Sequence, residues 1–128
     1  MRFGLLLAAL LLVGCKESEP NVQQIGYFKS STSDRIFTAR LSENVEEEDA
    51  RSFGESRPHT AGQMTAVYIY KNEAVIPADG VTFASSVFDA NEALHLPSLS
   101  SWKFVFMRYR NGSSVFINCE STASDLCR

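Results

Sequence analysis

The chain has 128 residues, a formal net charge of −3, 45% hydrophobic and 21% charged residues. That length allows one domain and hardly two. With seven Gly and four Pro it is neither low-complexity nor disordered in composition, and its charge excludes a generally basic nucleic-acid binder.

The first element is an export segment. Met1-Arg2 is followed by an apolar run from Phe3 to Val13, then Gly14-Cys15. A helix spanning a bilayer needs about 20 apolar residues, so this run is too short and fits the core of a secretory signal. Leu5 to Leu12 are apolar on all sides, unlike the striped surface of a helix packed on a core. Leu12-Val13-Gly14-Cys15 resembles the lipobox of bacterial lipoproteins, over residues 1–15 only. The resemblance implies lipidation of Cys15 and removal of residues 1–14. More than one acyl chain anchors a protein stably, at about 0.8 kcal/mol per buried CH₂. Lys16 follows where an Asp would resemble an inner-membrane retention signal, which leans toward the outer membrane, with the chain on its periplasmic face. Cleavage removes Arg2 from the twelve basic residues, leaving 11 against 15 acidic, net −4.

Residues 15–24 are expected to be the lipidated Cys and a polar tether (KESEPNVQQ after Cys15), and residues 25–128 one periplasmic domain. Ile25-Gly26-Tyr27-Phe28 begins the fold, KSSTSD (29–34) is a loop, and Arg35–Leu41 is a strand. Ser42–Phe53 is expected to be a helix, capped by Ser42 and stopped by Gly54, with Val45, Ala50 and Phe53 on its apolar stripe. Its run Glu46-Glu47-Glu48-Asp49 lacks calcium-loop spacing and reads as a solvated face. Met64–Lys71 alternates as a strand, with Val67 and Ile69 on one face and Ala66, Tyr68 and Tyr70 on the other. Asn72-Glu73 turns the chain and Ala74–Ile76 pairs back until Pro77. Pro77–Gly80 is a turn. Residues 81–95 fit a helix or a strand. A helix over 86–95, ended by Pro97, is preferred.

Residues 102–119 form the clearest element, a C-terminal β-hairpin. Asn111-Gly112 between two apolar runs signals a two-residue type I′ turn. That turn pairs Phe106 with Ile117, Met107 with Phe116 and Phe104 with Cys119. Trp102, Phe104, Phe106, Val115 and Ile117 then share one face, and Val105, Met107, Tyr109 and Phe116 the other. The second face, bordered by Lys103, Ser114 and Asn118, has the composition of an interface with a polar rim. Met107, Tyr109 and Phe116 are therefore the candidate partner surface, unless a helix near Val87 and Leu94 covers them.

With Cys15 assigned to lipid, Cys119 and Cys127 remain. An even remainder in an exported chain reads as a disulfide, and with only His59 and His95 elsewhere no zinc spacing is matched. No catalytic constellation emerges: no nucleophile elbow, no phosphate-binding Gly-rich loop, no carboxylate pair that stands out. His59 reads as a surface-loop residue and His95 as a helix-end residue. The basic-aromatic strand 102–110 alternates as a strand rather than as an RNA-stacking platform. No metal, cofactor, nucleic acid or small-molecule substrate is implied.

The expected fold is α+β, a mostly antiparallel sheet of four or five strands with one or two helices. The expected function is a lipid-anchored, non-enzymatic binder of another envelope protein, such as an accessory factor of a secretion, pilus or conjugation system. An inhibitor or immunity protein against a cell-wall-degrading enzyme is the alternative, and a small hydrolase follows behind.

Overall fold

The computed structural model describes residues 21–43, 45, 47–96 and 101–127. Cys15, the signal segment, Pro97 and most of the tether lie outside the described residues. Five strands form one sheet in chain order: β1 (Val22–Lys29), β2 (Arg35–Leu41), β3 (Thr65–Tyr70), β4 (Phe104–Arg108) and β5 (Ser114–Asn118). Every neighbouring pair is antiparallel except β2 and β3. A parallel pair requires a crossover, and α1 (Glu47–Glu55) lies within it. Helices α2 (Ala78–Thr82) and α3 (Val87–Leu94) come between β3 and β4. The architecture is the expected α+β.

Helices cover both faces, and this explains the strand compositions. On one face Phe37, Ala39, Val67, Ile69, Phe104 and Phe106 pack with Ala50 of α1. On the other, Ile36, Tyr68, Val105 and Met107 pack with Val81 of α2 and Ala90 and Leu94 of α3. β3, central and covered twice, is buried at all six positions. Its two faces are those read from the sequence.

The sheet begins earlier than the composition suggests. Val22–Gln24 belong to β1, not to the tether. As an edge strand β1 exposes Gln23 and Gln24 while Val22 is buried. A bulge between Gln24 and Gly26 reverses the alternation. Val22 and Tyr27 therefore both face α1.

Ser42 does not cap a helix. Its backbone N–H and hydroxyl both donate to the carbonyl of Asn21, at 2.9 and 3.1 Å, prolonging the β1–β2 ladder. Gly54 does not stop α1 but lies inside it, where the helix comes nearest the sheet. A Cβ there would sit 2.7 Å from Cβ and Cγ of Phe106. Ala74–Ile76 does not pair back, because β2 and β4 already occupy both edges of β3. The Arg40 guanidinium instead donates to the carbonyls of Asn72 and Ala74. Pro77–Gly80 is not a free turn: Pro77 precedes the first residue of α2. Ser86 caps α3, its hydroxyl oxygen accepting from the Asp89 N–H at 3.1 Å.

The hairpin is present, in a different register. Tyr109 N–H donates to Ser113 O at 2.8 Å and Gly112 N–H to Tyr109 O at 3.0 Å, which makes the loop Arg110-Asn111-Gly112. A type I′ turn needs positive φ at both central residues. Here Gly112 has φ 87° and Asn111 does not turn positive. Asn111 uses its side chain instead: Oδ1 accepts from the N–H and hydroxyl of Ser113 at 2.9 and 2.6 Å. The observed pairs are Phe104 with Asn118, Phe106 with Phe116 and Met107 with Val115. A one-residue slip exchanges the faces of a strand. Phe116 thus joins Phe104 and Phe106 under α1, stacked on Phe104 at 5.4 Å. Val115 and Ile117 pack with Val105 and Met107 on the other face. Trp102, ahead of the strand, also lies on that other face, edge-on to Tyr68 at 4.6 Å.

Candidate functional site

The register aligns Lys29, Arg35, Thr65, Arg108 and Ser114 as one row across the five strands. The row closes the end of the sheet away from the start of β1. It lies on the α1 face, since each residue is two positions from a neighbour facing α1 (Tyr27, Phe37, Val67, Phe106, Phe116). Strands lie about 4.8 Å apart, so Arg35 and Arg108 flank β3 at roughly 10 Å. The segment returning from α1 brings His59 over Thr65, with Nδ1 2.9 Å from Oγ1.

The cations are held in position mostly by neutral partners. Arg35 donates from Nε to the Tyr27 hydroxyl at 3.3 Å and from Nη1 to Thr60 Oγ1 at 2.7 Å. Arg108 lies over the Phe106 ring, 5.5 Å from its centroid. Arg110 meets a carboxylate, Asp34, at 3.4 Å. Asp34 is buried and already accepts from Met64 N–H at 2.9 Å and the Thr32 hydroxyl at 3.3 Å. His59, Gly62, Arg108, Arg110, Asn111 and Ser114 border an open pocket of about 420 Å³. Desolvation, reinforced by Arg108 and Arg35, holds the His59 imidazole below its ordinary pKa. It is therefore neutral at pH 7. A chain of net charge −3 thus concentrates positive charge at one end.

Thr65 and His59 do not form a nucleophile–base pair. Thr65, the hydroxyl beside His59, is 1% exposed and cannot meet a substrate. No carboxylate orients His59 among its described partners. A nucleophile–base pair needs both an accessible attacking atom and an oriented base.

Of the residues singled out from sequence, Cys119 and Cys127 are brought together as a disulfide, with Cα atoms 5.4 Å apart. The bridge sits at the end of the sheet opposite the arginines. It holds the tail so that Leu126 O accepts from Trp102 Nε1 at 2.8 Å. Met107, Tyr109 and Phe116 do not form one surface. Met107 is 5% exposed beneath the α2–α3 side, Phe116 faces α1, and Tyr109 is exposed beyond the end of β4. The slipped register separates them. His95 lies at the end of α3, its Nδ1 2.8 Å from Asn91 O and its ring 5.7 Å from that of Trp102. Among the described residues no three of His, Cys, Asp and Glu are grouped to hold a metal. None of the described helices is long and apolar enough to cross a membrane.

Arg35, His59, Arg108 and Arg110 escape sequence reasoning because they come from four separate segments. Only the strand pairing unites them. Comparison with known families, characterised proteins and solved structures finds no match.

Proposed function

We propose that this chain is a lipid-anchored, exported protein that binds another envelope protein and catalyses nothing itself. Cys15 carries the lipid, and Lys16 after it favours the periplasmic face of the outer membrane. The observation that carries the binding half of this reading is the polarity of the sheet along β1. Seven residue steps separate Cys15 from Val22, at most roughly 25 Å of chain. From there β1 runs to Lys29, about 23 Å further at strand rise, to the end that holds the arginines. An anchor at one end leaves the charged row free at the other, oriented toward the periplasm. A small accessory or assembly factor has these requirements: a fixed address and one exposed recognition surface.

The test joins the address to the surface. Wild-type chain should incorporate labelled palmitate, and Cys15→Ser should accumulate as the longer, unlabelled precursor. A photo-crosslinking residue at Asn111 should give one discrete protein adduct in intact cells, and the same residue at Glu48 none. Palmitate incorporation by Cys15→Ser overturns the anchor. Equal crosslinking from both positions overturns the surface.

A further inference from the structure

We propose that Arg35, His59, Arg108 and Arg110 form an oxyanion site that takes the carboxylates of an acidic segment on a protein partner. This rests on the reading of the chain as a protein binder and names the chemistry of the partner.

The site carries more positive charge than its one ion pair, Arg110 with Asp34, neutralises. Among the described residues, the Arg35 guanidinium donates to two hydroxyls and that of Arg108 lies on a ring, while the Asp34 carboxylate is already engaged by Arg110, Met64 N–H and Thr32. The groups are also preorganised. Tyr27 and Thr60 fix the Arg35 guanidinium and Phe106 supports that of Arg108. Less side-chain entropy is then lost on binding, and planar guanidinium forks match carboxylates.

The dimensions select the ligand. From Lys29 to Arg108 the row crosses three strand spacings, about 14 Å. One small oxyanion reaches at most two of these cations. Successive acidic side chains on an extended segment reach them all. A lipid headgroup is disfavoured because the row closes the end of the sheet opposite Val22, where the chain enters.

His59 makes the site responsive to pH. Burial, Arg108 from β4 and Arg35 from β2 oppose its protonation; Arg110 from the hairpin loop and Lys29 from β1 add positive charge at the same end, and Asp34, paired with Arg110, adds negative charge. A bound carboxylate offsets the arginines and raises the pKa of the imidazole. Binding then takes up a proton, so affinity increases as pH falls through the titration of the imidazole.

The experiment uses the full mature chain in detergent micelles and a fluorescent peptide of four consecutive Glu, with a Gln peptide as reference. The Glu peptide should bind at least tenfold more tightly than the Gln peptide, more tightly at pH 5.5 than at pH 7.5, and less tightly as salt is raised. Arg108→Gln should weaken it at least tenfold while leaving the melting curve unchanged. Arg110→Gln, at a more exposed position, gives the same reading if Arg108→Gln fails to fold. Glu48→Gln should change nothing. Equal affinity for the two peptides, or binding that survives both arginine substitutions, overturns the site. Preference for phosphatidylglycerol vesicles, or complete displacement by millimolar inorganic phosphate, overturns the acidic-segment assignment. Palmitate incorporation at Cys15 is independent of every arm, so this site and the anchor fail separately.

Discussion

Replacing Gly54 by Ala should destabilise the domain, although the same change in an exposed helix stabilises it. Helix α1 would gain about 0.5–1 kcal/mol, the usual cost of a helical glycine relative to alanine. Against this, the new methyl would lie 2.7 Å from Cβ and Cγ of Phe106. Those atoms are next to the backbone, so no rotation of the ring removes the clash, and Phe106 is only 2% exposed. Overpacking of this kind costs about 1–3 kcal/mol. Mid-range values leave a net loss of about 1.3 kcal/mol, which lowers the Tm of a domain this size by roughly 5–10 °C. Urea unfolding followed by Trp102 fluorescence measures it, with the m-value unchanged. Trp102 packs on the opposite face and so reports global unfolding. In the Gly54→Ala background, Phe106→Ala should cost less than it does alone, because removing Cγ relieves half of the clash. A Gly54→Ala protein more stable than wild type would mean that α1 does not press on β4, and the reasoning would fail.

Thr38→Val and Tyr70→Phe should each stabilise by about 1 kcal/mol, since Thr38 Oγ1 and Tyr70 Oη are buried without a hydrogen-bond partner. Thermal melts check this, and a loss of stability would show that the hydroxyls are satisfied. Cys119→Ser with Cys127→Ser should lose about 2.5 kcal/mol on the loop-entropy estimate. Non-reducing peptide mapping should show the two cysteines linked in wild type, and free thiols would refute the pairing. Stability should also fall above about pH 10. Burial pushes the Tyr68 phenol up to about 12 and Tyr70 higher still, while an unfolded tyrosine titrates near 10. The unfolded state therefore releases its protons first, and the loss continues to about pH 12. A flat urea midpoint from pH 9.5 to 12 would contradict it.

The elements most visible in the sequence are those whose side chains answer to a single constraint. Thr65–Tyr70 is legible because both its faces are apolar, and α3 because Ser86 and the following period agree with its packing. Val22–Gln24 is hidden because an edge strand needs only one buried residue in three and resembles a linker in composition. The hairpin position is legible from Asn111-Gly112, but its register is not. Asn111 has two ways to turn the chain, by positive φ or by its own carboxamide, and the choice exchanges Phe116 for Val115 and Ile117 between the two cores. The α1 face already holds Phe104 and Phe106, and Phe116 completes their stack. That preference belongs to the packed sheet and not to the dipeptide. The arginine row is illegible for the same reason: Arg35 and Arg108 lie far apart in the chain and become neighbours only through β3.

The entry of the chain at Val22 also has a mechanical meaning. A pull on the N-terminus, resisted at the arginine end, acts along the axis of β1. The seven paired positions from Val22–Leu41 to Lys29–Arg35 then carry the load in shear, all together. Were the chain to enter at Lys29, the same pull would peel the ladder open one pair at a time. An edge strand that is the weakest member of the sheet by composition is thus loaded in its strongest direction.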